Sequence, residues 1–280
     1  LLLKVFRASN SRLWILLIAS YIFYGAWNVT YLLLIFASSL WGWYLGLLMI
    51  KTTDEALKKI YLIISLTLSL GTLAFYKYAD FLMDNIMTAL GTTRDSSFEI
   101  LLPVGVSFFT FQTMSYTIDL YRKNIEPCYS FTKFSLFVAF FPQLVAGPIV
   151  RASDFLPQLD KKIIFHRKDI IIGAQIFLGG AIQKVLLADN LSQFVDPVFS
   201  DPSLYSSSTL WLSLISYSLQ ILCDFSGYSL MAIGIARMLG FTLPPNFNMP
   251  YISLSITEFW RRWHISLSSW LRDYLYISVG

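Results

Sequence analysis

Charged residues are scarce in this sequence. Asp, Glu, Lys and Arg make up 14% of the 280 residues, whereas a soluble domain averages about a quarter. Hydrophobic residues reach 56% and the mean hydropathy is +0.60. These values exclude an ordinary soluble domain and predict an all-α, polytopic integral membrane protein whose surroundings are a lipid bilayer. The net charge of +4 is small and spread over loops, which excludes a nucleic-acid partner.

Cysteine and histidine are also rare. Cys128 and Cys223 are far apart and lack metal-ligand spacing, so we expect neither a disulfide nor a metal site. The two histidines are His166, in a basic loop where we expect it to be solvated, and His264. There is no glycine-rich nucleotide loop and no Gly-x-Ser-x-Gly elbow. The sequence therefore predicts no bound cofactor.

The ends of the sequence suggest a piece of a longer protein. It begins at Leu1 without an initiator Met, shows no cleavable signal peptide and stops at Gly280 directly after a predicted helix. We expect residues 1–280 to form a single membrane domain that is a fragment.

Six apolar runs are long enough to be read as membrane crossings. They cover residues 13–27, 31–50, 60–78, 100–120, 170–187 and 210–239. Basic residues at both ends of the first helix pair place those ends in the cytoplasm by the positive-inside rule; they are Lys4, Arg7, Arg12, Lys51, Lys58 and Lys59. The acidic loop 79–99 and the loop 188–209, which has no Lys or Arg, suit the outer side. We expect the 210–239 run, which exceeds a bilayer's thickness, to be tilted or broken near Gly227.

The run 131–149 is predicted to be re-entrant. Pro142, Gly147 and Pro148 interrupt it. The loop that follows is the most basic of the chain, so it favours the cytoplasm although a full crossing would place it outside. Its basic residues are Arg151, Lys161, Lys162, Arg167 and Lys168. We expect the run to dip into the membrane and return, with its broken backbone buried in protein or lining a cavity.

Small and polar residues inside the runs suggest where helices meet. Gly42 and Gly46 have the spacing that lets helices approach closely, although either glycine is also compatible with mere tolerance. A polar stripe on one helix face favours a packing seam over a pore or substrate lining; it comprises Gln112, Ser115, Tyr116 and Asp119.

A second polar stripe surrounds Asp224, near the middle of the 210–239 run. It comprises Ser213, Tyr217, Gln220, Asp224 and Tyr228. An ionisable residue at membrane depth indicates either a functional site or a buried ion pair with a neighbouring arginine, and the sequence leaves both open.

The stretch 258–277 has the pattern of one amphipathic helix. Its polar face carries Glu258, Arg261, Arg262, Ser266, Ser269, Arg272 and Asp273, and its other face is aromatic and apolar. Glu258 precedes Arg262 by four residues, the favourable order for a helix ion pair. The pattern fits an interfacial helix. It also fits a reaction site that contains His264, because histidine moves protons near neutral pH.

Three stretches together resemble one family. They are residues 102–119, residues 140–149 (Phe140-Phe-Pro-Gln-Leu-Val-Ala-Gly-Pro-Ile149) and residues 224–264, which begin Asp224-Phe-Ser-Gly-Tyr and end Phe259-Trp-Arg-Arg-Trp-His264. They are similar to the membrane-bound O-acyltransferases (MBOATs), in particular the alginate O-acetyltransferase branch. The resemblance covers residues 100–280 and implies an MBOAT-like core there. Residues 1–99 add N-terminal transmembrane helices.

The resemblance implies a helical bundle around a tunnel in a bacterial cytoplasmic (inner) membrane. Acetyl groups from acetyl-CoA or another acyl thioester would pass to hydroxyls of an alginate-like polysaccharide outside, with periplasmic or extracellular partner proteins. His264 matches the first of two family histidines. The second is absent from these residues, so either it lies beyond residue 280, in a C-terminal part absent here, which we favour, or the protein lacks the activity. The predicted tunnel and substrate residues are Gln220, Asp224, Tyr228, Glu258, Arg261, Arg262 and Trp263. D-alanyl transfer to teichoic acid and a non-catalytic polysaccharide or lipid transporter stay open as alternatives.

Overall fold

The computed structural model describes residues 9–92, 100–161 and 166–279, and every regular element in these ranges is a helix. The all-helical prediction is therefore confirmed. The chain divides into two compact units, residues 1–145 with 151–162 and residues 146–150 with 163–280. Several charged residues used for the topology lie outside the described ranges: Lys4, Arg7, Asp95, Glu99 and Lys162. The predicted boundary between residues 99 and 100 stays a prediction.

The described residues of the first unit contain seven helices. They are α1 (Ser9–Gly25), α2 (Thr30–Lys51), α3 (Glu55–Ala89), α4 (Val106–Tyr121), α5 (Phe131–Ala139), α6 (Phe141–Leu144) and α7 (Ala152–Asp160). Helix α2 matches its predicted run within a residue at each end. Helix α3 continues well past residue 78, so the loop predicted over 79–99 is wrong in its first half. Nothing in that half stops a helix until Gly91, whose left-handed backbone (φ +70°) closes a Schellman motif with Thr92 N–H donating to the Met87 carbonyl at 2.9 Å.

Helix α4 begins six residues later than the predicted run. Pro103 and Gly105 delay it, and Gly105 adopts φ +77°. A Cβ at Gly105 would lie 2.3 Å from the Leu144 carbonyl oxygen, so only glycine fits there. The 16 residues of α4 span about 24 Å, less than the hydrocarbon core of a bilayer.

The polar stripe of α4 is a packing seam. Gln112, Ser115, Tyr116 and Asp119 are all buried. The Tyr116 ring packs 4.6 Å from Phe134, and its hydroxyl accepts the Cys128 backbone N–H at 3.1 Å. The packing interpretation of this stripe is therefore confirmed.

The two glycines of α2 face this same helix. A Cβ at Gly42 would lie 2.4 Å from Thr113 Cγ2, and one at Gly46 would lie 2.9 Å from the Tyr116 ring. The predicted close approach of helices at these glycines is confirmed.

The 131–149 run is broken where the sequence predicts. Helix α5 ends at Ala139 because Pro142 has no N–H to donate to the Val138 carbonyl, and its ring would clash with that group. The interruption is confirmed, whereas the return of the segment to the cytoplasmic side stays a prediction.

The second unit is built on two long helical segments. Helix α8 (Arg167–Ala181), a π-helical turn (Ile182–Ala188) and α9 (Asp189–Ser200) run on without a break, and α10 spans Ser207–Met238. Shorter elements are 3₁₀ turns at Pro202–Leu204 and Pro250–Ile252, α11 (Ile256–Arg262), α12 (Ile265–Trp270), a π-helical turn (Leu271–Tyr276) and α13 (Ile277–Val279). The loop predicted over 188–209 is therefore wrong, since helix α9 fills most of it.

Gly227 does not break α10, contrary to one of the two expectations. It lies against Gly180 of α8, where a Cβ would be 2.8 Å from the Gly180 carbonyl oxygen. Gly234 makes the equivalent contact with Gly173 at 2.6 Å. These glycines bring two helix backbones together, a role that small residues commonly have in membrane helices.

Within the described ranges, four helical segments are long and apolar enough to cross a membrane. They are Thr30–Lys51, Glu55–Ala89, Arg167–Ser200 and Ser207–Met238. The shortest has 22 residues, about 33 Å, against roughly 30 Å of hydrocarbon. Helix α1 is apolar but shorter. The described residues are thus all-helical and carry membrane-length apolar segments, which is consistent with a polytopic membrane protein.

Candidate active site

The structure breaks the predicted 258–277 helix at its centre. Helix α11 ends at Arg262, Trp263 is extended, and His264 adopts a left-handed conformation (φ 42°, ψ 55°) before α12 begins. A single amphipathic helix over this stretch is therefore wrong. The side chains of α11 and α12 consequently do not form the two continuous faces that a helical wheel predicts.

Backbone pairing with the 246–248 segment holds this break. Asn248 N–H donates to the Arg262 carbonyl at 2.9 Å, and Ile265 N–H donates to the Asn246 carbonyl at 2.9 Å. The two bonds flank Trp263 and His264, so both residues are presented on a short, fixed loop.

His264 contacts one aromatic ring, behind which two more are packed. Its imidazole lies edge-on to Phe225 with ring centroids 4.6 Å apart. Phe225 also packs on Phe247 at 5.0 Å, and Phe247 packs on Trp263 at 5.1 Å. His264 Nε2 is buried and has no hydrogen-bond partner within the described ranges.

This apolar environment decides the charge of His264. Burial lowers its pKa from 6.5 to about 4, because desolvation penalises the imidazolium. The ring is therefore neutral at pH 7 and can accept a proton or a hydrogen bond from a bound substrate.

Glu258 and Arg262 form the predicted ion pair. Their closest atoms, Arg262 Nη2 and Glu258 Oε1, lie 2.8 Å apart. Glu258 also accepts the Leu254 backbone N–H at 3.0 Å, and Arg262 donates to the Asn248 carbonyl at 3.2 Å. The Leu254 bond first, and then Arg262, lower the pKa of the Glu258 carboxyl. Both side chains thus fasten the loop that carries His264.

Trp263 and Arg261 occupy different positions around this pair. The Trp263 ring stacks on Phe259 and Tyr251 with centroids 5.6 and 6.1 Å apart. Arg261 is exposed, so its guanidinium is accessible to an anionic ligand at the surface.

Asp224 belongs to a charged cluster. The sequence predicts an ion pair as one of two possibilities, but with an arginine as the partner. Asp224 pairs with Lys184, in the Ile182–Ala188 π-helical turn, at 2.7 Å, and not with an arginine. Lys184 also pairs with Asp189 at 2.6 Å and lies 5.3 Å from the Tyr228 ring centroid. Gln220, one turn before Asp224, has a buried Oε1 without a hydrogen-bond partner among the described residues.

A cavity of about 290 Å³ opens between α10, the Ile182–Ala188 π-helical turn and the 245–250 segment. Its polar groups include Ser226, which donates to Gln183 Oε1 at 2.6 Å, and Cys223. Phe247 lines the cavity and also belongs to the aromatic ring set around His264. Phe247 therefore connects the wall of the cavity to the rings that pack near His264.

The sequence patterns did not identify Lys184 or Gln183 as neighbours of the Asp224 stripe. They lie on another helix, about forty residues away in the chain. A lysine within an apolar run was the available signal for Lys184, since such residues commonly pair inside a membrane protein.

Comparison with known proteins gives a consistent result. The model of the membrane-bound O-acyltransferase family matches residues 13–280. A protein named "Probable alginate O-acetylase AlgI" from Pseudomonas aeruginosa is 43% identical over 274 residues, which are 95% of this chain and 52% of that protein. A peptidoglycan O-acetyltransferase from Helicobacter pylori is 38% identical over 295 residues, covering 96% of this chain and 56% of that protein.

A more distant relative transfers a different group. A teichoic acid D-alanyltransferase from Bacillus subtilis is 27% identical over 180 residues, which are 62% of this chain and 45% of that protein. The chain spans about half the length of the curated relatives it matches.

Proposed function

Since the chain belongs to the membrane-bound O-acyltransferase family, we propose that this protein transfers acetyl groups across a bacterial cytoplasmic membrane to hydroxyls of an outer polysaccharide. The main support for this proposal is that two relatives named as O-acetylating enzymes are 43% and 38% identical to this chain over almost its whole length. The D-alanyltransferase, at 27% over 62% of the chain, supports the rival donor chemistry less.

The proposed reaction is transfer from an acyl thioester such as acetyl-CoA. A sugar hydroxyl oxygen attacks the thioester carbonyl, a C–O bond forms, the C–S bond breaks, and the hydroxyl proton leaves with the thiol. His264 supports this step because its neutral ring can take the hydroxyl proton or hydrogen-bond the acyl oxygen. General base assistance contributes about 10²–10⁴-fold to such a reaction.

Other residues receive supporting roles in the same proposal. Arg261 steadies the anionic donor, Gln220 offers its free buried oxygen to a hydroxyl, and the Asp224–Lys184 pair with Tyr228 lines the path. A second histidine outside these 280 residues serves as the principal base. We also propose that residues 131–149 form a re-entrant segment. Partner proteins act with the enzyme at the outer face of the membrane.

The experiment that tests this function measures ester groups on the surface polysaccharide by NMR. Cells lacking the gene are complemented with the full-length protein, with His264→Asn or with His166→Asn. Asparagine tolerates the left-handed backbone of position 264, so that variant removes the imidazole without adding strain. His166 is exposed and serves as the matched control.

We expect acetyl esters to vanish on deletion, to return with the wild type and His166→Asn, and to stay low with His264→Asn. Alanyl esters in place of acetyl esters would favour the teichoic acid reaction. Unchanged esters in all strains, with altered export of polymer, would favour a transporter and overturn the proposal.

A further inference from the structure

His264 occupies a backbone conformation that needs support. Left-handed φ and ψ are unfavourable for a residue other than glycine, because its Cβ comes too close to the following carbonyl oxygen. Such a conformation persists only when surrounding contacts impose it, and functional sites are where this is common. The contacts that impose it here come from the backbone of the 246–248 segment and from the side chain of Asn246.

Asn246 accepts three hydrogen bonds from the two residues that follow His264. Its carbonyl accepts Ile265 N–H at 2.9 Å. Its side-chain Oδ1 accepts both Ser266 N–H at 3.2 Å and the Ser266 hydroxyl at 2.9 Å. The first turn of α12 is therefore tied to Asn246 before its own helical bonds begin.

The asparagine is itself anchored to rigid neighbours. Its Nδ2 donates to the Ser229 hydroxyl of α10 at 3.1 Å. The Ser266 hydroxyl in turn accepts Ile149 N–H at 2.9 Å. Ser229, Asn246 and Ser266 are 2%, 1% and 6% exposed, so these bonds are buried and electrostatically stronger than they would be in water.

The network joins stretches that are distant in the chain. The 146–150 segment, helix α10, the 246–248 segment and the His264 loop all meet at Asn246 and Ser266. Helix α10 also carries Phe225, the ring that contacts the imidazole. A shift of the loop relative to α10 would therefore move His264 off Phe225.

We propose that Asn246, acting through Ser266, is a positioning residue that sets the orientation of the His264 ring for acyl transfer. This inference rests on the proposed function, because positioning has a kinetic consequence only if His264 takes part in the reaction. Asn246 also lines the cavity of about 290 Å³. Its hydrogen bonds to Ile265 and Ser266 connect it to the His264 loop, and it acts on the ring through the backbone of that loop.

The chain offers a closely matched control. Asn248 lies two residues further on, its backbone takes part in the same pairing, and its side chain is exposed. Asn246→Ala and Asn248→Ala therefore remove the same side chain from the same segment, but only the first removes the bonds to Ser266 and Ser229.

The test uses inverted membrane vesicles from cells that express the full-length protein with its native partners. The initial rate of acetyl transfer is measured against acetyl-CoA concentration, and kcat is normalised to folded protein by size-exclusion chromatography. We expect Asn246→Ala to lower kcat by about 10- to 100-fold with KM changed less than about twofold, because misplacement of a catalytic group by about 1 Å has this effect. Asn248→Ala should match the wild type.

Ser266 provides a second pair of variants if Asn246→Ala folds poorly. Ser266→Ala should lower kcat, and Ser266→Thr, which keeps the hydroxyl, should recover most of it. A kcat per folded molecule that is unchanged in both Asn246→Ala and Ser266→Ala would overturn the positioning role.

Failure of the underlying function has a different signature. If the wild type transfers no acetyl groups, the proposed function is wrong. If His264→Asn is as active as the wild type, the role of His264 is wrong. In either case the positioning role of Asn246 is wrong too. If the wild type is active and His264→Asn is not, the Asn246 variants alone decide the inference.

Discussion

Adjacent glycines in α8 should respond to the same substitution in opposite directions. Gly180 packs against α10: a Cβ there would lie 2.5 Å from the Gly227 carbonyl oxygen and 2.8 Å from Met231 N. Gly179 has no atom within 4 Å of its equivalent position. Changing each glycine to alanine therefore adds one methyl group at a backbone contact in one case and in open space in the other.

The magnitudes follow from two opposing effects. Alanine is favoured over glycine in a helix by about 1 kcal/mol, and this gain applies at both positions. The clash at Gly180 is with main-chain atoms of α10, which cannot rotate away, so the overpacking cost of about 1–3 kcal/mol falls at its upper end. We expect Gly180→Ala to be less stable than Gly179→Ala by about 3 kcal/mol.

The assay is thermal inactivation of the full-length protein in detergent, followed as the fraction that remains monodisperse after heating. Gly179→Ala should match or exceed the wild type, and Gly180→Ala should fall below it. Equal stability of the two variants would refute the close contact between α8 and α10 at Gly180.

Further predictions concern the other helix contact and the two charged centres. Gly42→Ala should lower thermal stability, and Thr113→Ser should restore it by removing the methyl group that lies 2.4 Å from the new Cβ; no recovery in the double variant would contradict this packing. Lys184→Met should destabilise the detergent-solubilised protein by about 1–3 kcal/mol, since the pairs are only partly buried, and adding Asp224→Asn should recover part of the loss. A double variant no more stable than Lys184→Met would contradict that charge pairing. Because the pKa of His264 falls to about 4 in the folded protein, the unfolded chain binds more protons below pH 6.5, so stability should decline as the pH falls from 6.5 towards 4. In His264→Asn this part of the pH dependence should be absent, and an identical decline in both proteins would assign it to other groups.

Local patterns predicted features that depend on neighbouring residues. The apolar run 31–50 matches α2 closely because a helix of that length satisfies its own backbone in a membrane. The Glu258–Arg262 pair follows from their spacing of four residues. The seam on α4 was predictable because polar side chains on one helix face need buried partners in a bilayer.

The break at His264 could not be predicted in the same way. The 258–277 pattern fits a continuous helix, and the bonds that interrupt it come from Asn246, which lies outside that pattern. The same reason applies to Lys184, whose partner Asp224 lies on another helix. In both cases a tertiary contact determines the local geometry.

The most direct test of the acyltransferase account is transfer of label across a sealed membrane. Inverted vesicles that carry the full-length protein receive radiolabelled acetyl-CoA outside, and labelled ester is measured on polysaccharide enclosed within. The account predicts labelled O-acetyl groups inside the vesicles with the wild type and with His166→Asn, and almost none with His264→Asn. Equal labelling by His264→Asn, or no enclosed ester with the wild type, would contradict it.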